Sequence, residues 1–310
     1  MNKSIFITGV MGFVGFAWAK KLLQLGNIVY GLDIKKNSTF FRHKNFYFYQ
    51  DTVFNEKKIE KLIKKSDIVC HFAGIAQPQQ YLVRPIDVIK LTVLPSLKII
   101  EFAAKYKKKI FFTSTSEVYG KLAKIPFSEN DDRLLGSTEK TRWCYSTSKS
   151  LVEHYIKAYS VQNKLKYIIF RLFNIYGPGL EGRVVDIFIK NALNGKNLLI
   201  NGNGNQKRCY MYIDDCVDAF AKIFLNNKIC NTTFNIGSDQ ELSVMEIAKK
   251  IIKLTNSSSK IIINSNQLNK FAGYEDIQRR VPDLKKLKKY IKWEAKIDIN
   301  EGLKKMISSY

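Results

Sequence analysis

The stretch Ser4-Ile5-Phe6-Ile7-Thr8-Gly9-Val10-Met11-Gly12-Phe13-Val14-Gly15 decides how the rest of the chain is read. An apolar run reads as a buried strand, and three glycines then open a helix. Gly9 allows a tight turn with unusual backbone angles. Gly12 has no side chain to keep an anion from the helix N-terminus, where unpaired N–H groups and the dipole favour negative charge. Gly15 lets the helix lie close to the sheet. Together with Phe13 and Val14, these glycines form a candidate cradle for a dinucleotide pyrophosphate. The spacing is Gly-x-x-Gly-x-x-Gly rather than the commoner Gly-x-Gly-x-x-Gly. The same segment has features of a secretory leader: a lysine, an apolar run, and Ala17-Trp18-Ala19. Three regularly spaced glycines interrupt that run, and the sequence beyond it continues a nucleotide-binding pattern.

The chain has 310 residues, of which 45% are hydrophobic, enough for one α/β domain and a smaller lobe. No apolar run is long enough to cross a bilayer, so no membrane partner is expected. Cys70, Cys144, Cys209, Cys216 and Cys230 show no Cys-x-x-Cys pairing, and His43, His71 and His154 show no ligand spacing. A disulfide framework and a metal are therefore not expected, and the cysteine usage fits a reducing cytoplasm. The net charge of +24 comes from 51 Lys+Arg against 27 Asp+Glu. The lysines are scattered in short runs such as Lys107-Lys108-Lys109, without a nucleic-acid motif, so no nucleic-acid partner is expected. A basic surface also attracts small anions such as a nucleoside diphosphate sugar.

Downstream, Val29-Tyr30-Gly31-Leu32-Asp33 reads as a second strand ending in an acid. Asp33 lies where a carboxylate grips adenosine ribose hydroxyls and repels a 2′-phosphate, which favours NAD over NADP. An aromatic strand over Asn45–Tyr49 ends near Asp51, and the strand Asp67–Phe72 runs into Ala73-Gly74. Asp51 and Ala73 are further candidate cofactor contacts. Lys57–Lys64 and Tyr81–Tyr106 read as helices, the second with Pro95 as a kink or restart. Strands alternating with helices predict an α/β fold, a Rossmann-like doubly wound parallel sheet with ligands at the C-terminal strand ends. A smaller C-terminal α/β substrate lobe is expected. The boundaries read as 1–173 for the NAD-binding domain, completed by about 205–228, with 174–204 and 229–310 forming the lobe.

Two clusters carry chemistry. Thr113-Ser114-Thr115-Ser116-Glu117-Val118-Tyr119-Gly120 follows a strand, and Tyr145-Ser146-Thr147-Ser148-Lys149 opens a helix running to about Gln162. Tyr145 and Lys149 are four apart and share a helix face. An ammonium beside a phenol is expected to lower the phenol's pKa, making Tyr145 a candidate base for a sugar hydroxyl.

Gly9–Gly15, Asp33, Thr115 and Tyr145/Lys149 together resemble the extended short-chain dehydrogenase/reductases, and within them the nucleotide-sugar epimerase, dehydratase and decarboxylase family. The resemblance continues through Arg171-Leu172-Phe173-Asn174-Ile175-Tyr176-Gly177-Pro178, Gly202–Arg208, Tyr212–Asp215 and Phe234–Gly237, and so covers essentially the whole chain. It implies an NAD-dependent enzyme that transiently oxidises C4 of a nucleotide sugar. Tyr145 would be the base, Lys149 would bind the nicotinamide ribose, and Thr115 would hydrogen-bond the C4 oxygen. Glu117 would assist chemistry near C5–C6. Ser116, Asn174, Arg183 and Arg208 would hold the sugar or the diphosphate.

Arg142-Trp143-Cys144-Tyr145, Gly182–Val185 and Gln206–Cys209 look most like UDP-glucuronate decarboxylases. Two positions depart from that pattern. Gly179 stands where decarboxylases usually have an arginine, and Thr92 replaces an asparagine often found on the long helix. A 4-epimerase and then a 4,6-dehydratase remain as alternatives, and an inactive NAD-binding regulator as a different class. Arg279 or Arg280 could touch phosphate, with solvated charge the simpler account. The resemblance also implies a homodimer, paired through the helices near Leu91–Lys105 and Tyr145–Tyr159.

Overall fold

The computed structural model describes residues 2–36, 43–264, 275 and 277–310. Its strands in chain order are β1 (Ser4–Thr8), β2 (Ile28–Asp33), β3 (Phe46–Gln50), β4 (Ile68–His71), β5 (Lys109–Thr115) and β6 (Tyr167–Leu172). The shorter β7 (Ile175–Tyr176), β8 (Leu198–Asn201), β9 (Lys207–Cys209) and β10 (Met211–Tyr212) come next. They are followed by β11 (Thr232–Ile236), β12 (Glu241–Ser243), β13 (Ile261–Asn264) and β14 (Arg279–Arg280). The helices are α1 (Phe13–Gln24), α2 (Glu56–Lys65), α3 (Pro78–Val83), α4 (Pro85–Lys105) and α5 (Cys144–Asn163). Then come α6 (Val184–Leu193), α7 (Ile213–Leu225), α8 (Val244–Thr255), α9 (Lys285–Ile291) and α10 (Ile299–Ile307).

Seven strands form one sheet in the order β11-β6-β5-β4-β1-β2-β3, every neighbouring pair parallel. The chain starts on β1, beside the central strand β4, and winds outward in both directions, so the switch point lies between β1 and β4. Parallel strands joined by crossover helices are covered on both faces, which is why Ile68–His71 is buried at every residue. One face packs Ile5, Ile7, Trp18, Phe111, Phe170 and Phe220 in a common core. The other packs Phe6, Phe112, Ile169, Ile99 and Val152 beneath α4 and α5. The expected doubly wound sheet is thus the observed one.

The sheet takes its last strand from Thr232–Ile236, inside the segment assigned from sequence to the lobe. β11 and β6 pair from Thr232↔Ile168 to Ile236↔Leu172, so the sheet returns to this part of the chain after the expected boundary. Beside the sheet lie the antiparallel pair β12–β9 with β14, and the pair β8–β13.

Pro95 lies inside α4, which runs unbroken from Pro85 to Lys105. The expected helix divides instead at Arg84, where α3 ends and Pro85 starts α4. Proline suits a first helical turn, whose N–H groups have no intrahelical partner.

Candidate active site

Gly9 follows β1 with φ +70, and a Cβ there would stand 2.7 Å from the Ala73 backbone. The loop after β1 therefore touches the loop after β4, and only glycine permits both the angle and the approach. A Cβ on Gly15 would overlap the Gly9 carbonyl oxygen, so the glycine lets α1 start directly against the turn. Gly12 occupies the N-cap of α1 without a side-chain cap, and the first turn carries no acid. Its amides, including those of Phe13 and Val14, are arranged for an anion. Asp33, at the end of β2, accepts a hydrogen bond from the Met11 N–H at 2.9 Å, which fixes this carboxylate at the edge of the same loop. Asp51 accepts from the Thr52 N–H and from Asn55 Nδ2, so both its oxygens are engaged locally. The glycine cradle, uncapped helix and adjacent carboxylate fit NAD.

A buried relay beneath the cradle escaped the sequence reading. The Phe72 and Ala73 N–H groups donate to Thr8 Oγ1, which lies 2.7 Å from His71 Nδ1. His71 Nε2 is 2.8 Å from Ser96 Oγ, whose hydroxyl donates to the Thr92 carbonyl. Because that proton is committed to Thr92, Ser96 accepts from Nε2–H and Thr8 donates to Nδ1. This one proton order joins β1, β4 and α4. Burial, and then the Lys149 charge, push His71 down to about 3, so the ring is neutral.

Tyr145 occupies the first turn of α5 and is buried. Its ring stacks on Tyr81 of α3, with centroids 4.5 Å apart and planes 11° from parallel. Lys149, one turn later, donates to the Thr113 carbonyl at 2.8 Å and lies 4.5 Å over the Phe112 ring. A Cβ on Gly74 would sit 3.7 Å from Lys149 Nζ, so the ammonium lies beside the loop after β4. Burial lowers Lys149 to about 8, partly offset by Glu153, itself bound through both oxygens to Arg171.

The expectation that Lys149 lowers the Tyr145 pKa does not match the geometry. Burial holds the Tyr145 phenol above its ordinary value, and what opposes burial is the Arg183 charge and hydrogen bonding to Tyr81 and Thr115. The lysine donates to a backbone carbonyl, with Nζ 5.9 Å from the Tyr145 ring centroid.

Thr115 ends β5, and its Oγ1 accepts from the Glu117 N–H at 3.2 Å, starting a short 3-10 turn over Ser116–Tyr119. Ser116 is buried in that turn. Glu117 is buried between two arginines: Arg280 Nη1 lies 2.5 Å from Oε1 and Arg142 Nη2 lies 2.8 Å from Oε2. Burial alone would raise its pKa; Arg280 and Arg142 overcome that and hold the carboxyl down at about 2. Glu117 is thus an ionised anchor rather than a proton donor. The simpler account of Arg280 as solvated charge is replaced by a buried ion pair. Arg279, its neighbour in the strand, is exposed and bonds Glu241. Alternation along β14 turns one arginine inward and the next outward.

Arg183, at the N-cap of α6, donates to the Ala76 carbonyl and acts electrostatically on Tyr145, Tyr81 and Glu117. The structure therefore brings Arg183 to the tyrosines. Asn174, with φ +37, donates to the Cys209 carbonyl at 3.4 Å, next to Arg208. Arg208 donates to the Lys207 carbonyl at 2.8 Å and lies half-buried on β9, the middle strand between β12 and β14. Asn174 and Arg208 thus share one region. Tyr274 and Asp276, just before the Arg279–Arg280 pair, lie outside the described residues; Glu275 accepts from Trp143 Nε1 and from Lys121. Among the described residues, no group of His, Cys, Asp and Glu could hold a metal.

A cradle for a dinucleotide, a tyrosine–lysine helix and a threonine at the neighbouring strand end together define a nucleotide-dependent oxidoreductase-type site. A match to the NAD dependent epimerase/dehydratase family spans residues 5–237, and the chain belongs to that family. It is 37% identical over 336 residues to the bifunctional polymyxin resistance protein ArnA of Wigglesworthia glossinidia brevipalpis, covering 99% of this chain but only 51% of that relative. It thus spans about half of that relative's length. It is 36% identical over 320 residues to the UDP-N-acetyl-alpha-D-glucosaminuronate decarboxylase of Bacillus cytotoxicus, covering 99% and 97% of the two chains. Among solved structures, the UDP-glucose 4-epimerase of Thermotoga maritima superposes with a TM-score of 0.88 at 27% identity, over 99% of this chain and 98% of that one.

Proposed function

We propose that the chain decarboxylates a UDP-hexuronate, such as UDP-glucuronate or its N-acetylated 2-amino analogue, through a transient 4-keto sugar. The observation that carries this reading is the buried pair of arginines on Glu117. Two buried guanidinium groups converge on this carboxylate, which acts electrostatically on Tyr145. Guanidinium groups so placed suit a substrate carboxylate and the electron pair released when CO2 departs. A simple 4-epimerase has no need of them. Full-length likeness to a UDP-hexuronate decarboxylase supports the same choice.

NAD, held by the Gly9–Gly15 cradle and Asp33, supplies a hydride acceptor and later donor at sugar C4. Tyr145 takes the O4 proton, with Thr115 hydrogen-bonded to the same oxygen, and returns it when the ketone is reduced. With C4 a ketone, the C5–C6 bond breaks, CO2 leaves, and its electron pair passes into the C5–C4–O4 system beside Arg142 and Arg280. Protonation at C5 then restores the ring carbon. Glu117 keeps both guanidinium groups in place. Lys149 holds the nicotinamide ribose, and Ser116, Asn174, Arg183 and Arg208 hold the sugar and diphosphate.

The test is incubation of purified protein and NAD with UDP-glucuronate and its N-acetylated analogue, with products read by mass and NMR. Loss of CO2 supports the reading. Unchanged mass with an inverted C4 indicates the 4-epimerase, which Gly179 favours because that position, open around its Cβ, has no arginine. NAD binding without turnover indicates the regulator.

The same reading includes a cytoplasmic homodimer. All five cysteines are free. α4 and α5 pack side by side, and their outer surface exposes Ile86, Ile89, Leu94 and Leu151. Two such faces would bury each other. Sedimentation of the parent and of Leu94→Glu/Leu151→Glu tests it: a parent that sediments as a monomer removes the dimer.

A further inference from the structure

Asp186 stands in the first turn of α6, 1% exposed, with both carboxylate oxygens held. Oδ2 accepts from the Gly182 N–H at 2.7 Å. Oδ1 accepts from Lys190 Nζ at 2.8 Å and from the Tyr310 hydroxyl at 2.5 Å, the latter across 124 residues of chain. A buried carboxylate is tolerated where donors surround it, and here they come from three separate points of the chain. An acid in a first helical turn also suits the dipole. Helix capping alone would not call for the Tyr310 clamp, which satisfies none of the helix's own amides.

The clamp bears on the chain's entry into α6. Gly182 has φ +67, and Arg183, the N-cap residue, is extended at φ −111 and ψ 160. The Arg183 guanidinium leaves α6 and donates to the Ala76 carbonyl, in the loop between β4 and α3. That bond uses one N–H of the fork and leaves the others for a diphosphate or a sugar oxygen. The body of α6 is fixed separately, by Val185, Phe188 and Ile189 in the core. What Asp186 decides is therefore the angle at which Gly182 and Arg183 enter the helix.

We propose that Asp186, clamped by Tyr310 and Lys190, is a positioning residue that sets the reach of Arg183 toward the bound nucleotide sugar. This rests on Arg183 holding the diphosphate or the sugar. Asp186 itself touches no substrate; it fixes the turn from which Arg183 extends.

The experiment titrates the NAD-loaded protein with UDP and measures KM for UDP-glucuronate. It compares Asp186→Ala, Asp186→Asn, Arg183→Ala and the double variant Asp186→Ala/Arg183→Ala. Losing one charge-assisted hydrogen bond weakens binding about tenfold, so each alanine variant should raise the UDP Kd and the KM by about that factor. NAD affinity should hold, because the Gly9–Gly15 cradle is untouched. Asp186→Asn keeps an oxygen for the Gly182 N–H and should recover most of the affinity. In the Arg183→Ala background, Asp186→Ala should cost nothing further, whereas a merely structural loss would persist there. Should Asp186→Ala fail to fold, Lys190→Met/Tyr310→Phe removes both Oδ1 partners at exposed positions and should weaken UDP about threefold. The inference is overturned if Asp186→Ala, or in its place Lys190→Met/Tyr310→Phe, binds UDP as the parent does while Arg183→Ala is weakened. It is also overturned if the double variant loses the product of the two single effects. Parental UDP affinity and KM in Arg183→Ala would instead overturn the assignment of Arg183 to the substrate, and this inference with it.

Discussion

The Arg280 guanidinium meets the Glu117 carboxylate at 2.5 Å across 163 residues of chain. Arg142 closes on the other carboxylate oxygen at 2.8 Å, so one buried acid gathers two cations from distant segments. Breaking such a cluster is asymmetric. Glu117→Gln removes the one carboxylate charge that both buried guanidinium groups share and should cost about 3–5 kcal/mol. Arg280→Met leaves Glu117 still paired with Arg142 and should cost less. Urea unfolding of both variants measures the difference; equal losses would contradict the anchor role of Glu117. Both variants should lose CO2 release.

Tyr145→Phe removes the hydroxyl but keeps the ring and the stack on Tyr81. Turnover should fall about 10²–10⁴-fold, the usual contribution of a positioned acid–base group. NAD affinity should be unchanged. Steady-state kinetics with a fluorescence titration of NAD separates the two quantities.

Gly9→Ala would impose a Cβ at φ +70 and 2.7 Å from the Ala73 backbone. Left-handed backbone costs a non-glycine residue about 1–2 kcal/mol, before any shift of the loop after β4. NAD affinity should fall tenfold or more, since about 1.4 kcal/mol is a factor of ten. Titration of the variant with NAD checks it, and undiminished binding would remove the cradle from the cofactor site.

His71 is held near 3, below the ordinary 6.5, because burial and the Lys149 charge oppose protonation. The unfolded chain then binds the extra proton first. Stability from this group is present above pH 6.5 and is lost as pH falls toward 3. Glu117, lowered from 4.5 to about 2, adds a loss of the same sign at lower pH. His71→Asn should flatten the fall in unfolding free energy between pH 7 and pH 5, measured by urea titration at each pH. An unaltered slope would mean that His71 does not carry that dependence.

The fold was legible because its signals are local. Ser4–Gly15 joins a buried apolar run to three spaced glycines, and Val29–Asp33 ends a strand in an acid. The four-residue spacing put Tyr145 and Lys149 on one helix face. Their coupling was not legible, since it depends on where the lysine points, and the Thr113 carbonyl on a different strand takes it.

What the sequence by itself determined is the parallel doubly wound sheet, the glycine cradle and the shared helix face of Tyr145 and Lys149. Strand alternation, turn residues and helical spacing act over a few neighbours. Only the tertiary structure decided that Arg280 turns inward while Arg279 faces solvent, that Glu117 is ionised, and that Tyr81 backs Tyr145. A charge's protonation and a ring's partner depend on burial and on groups far away in the chain, and burial exists only once the layers have packed.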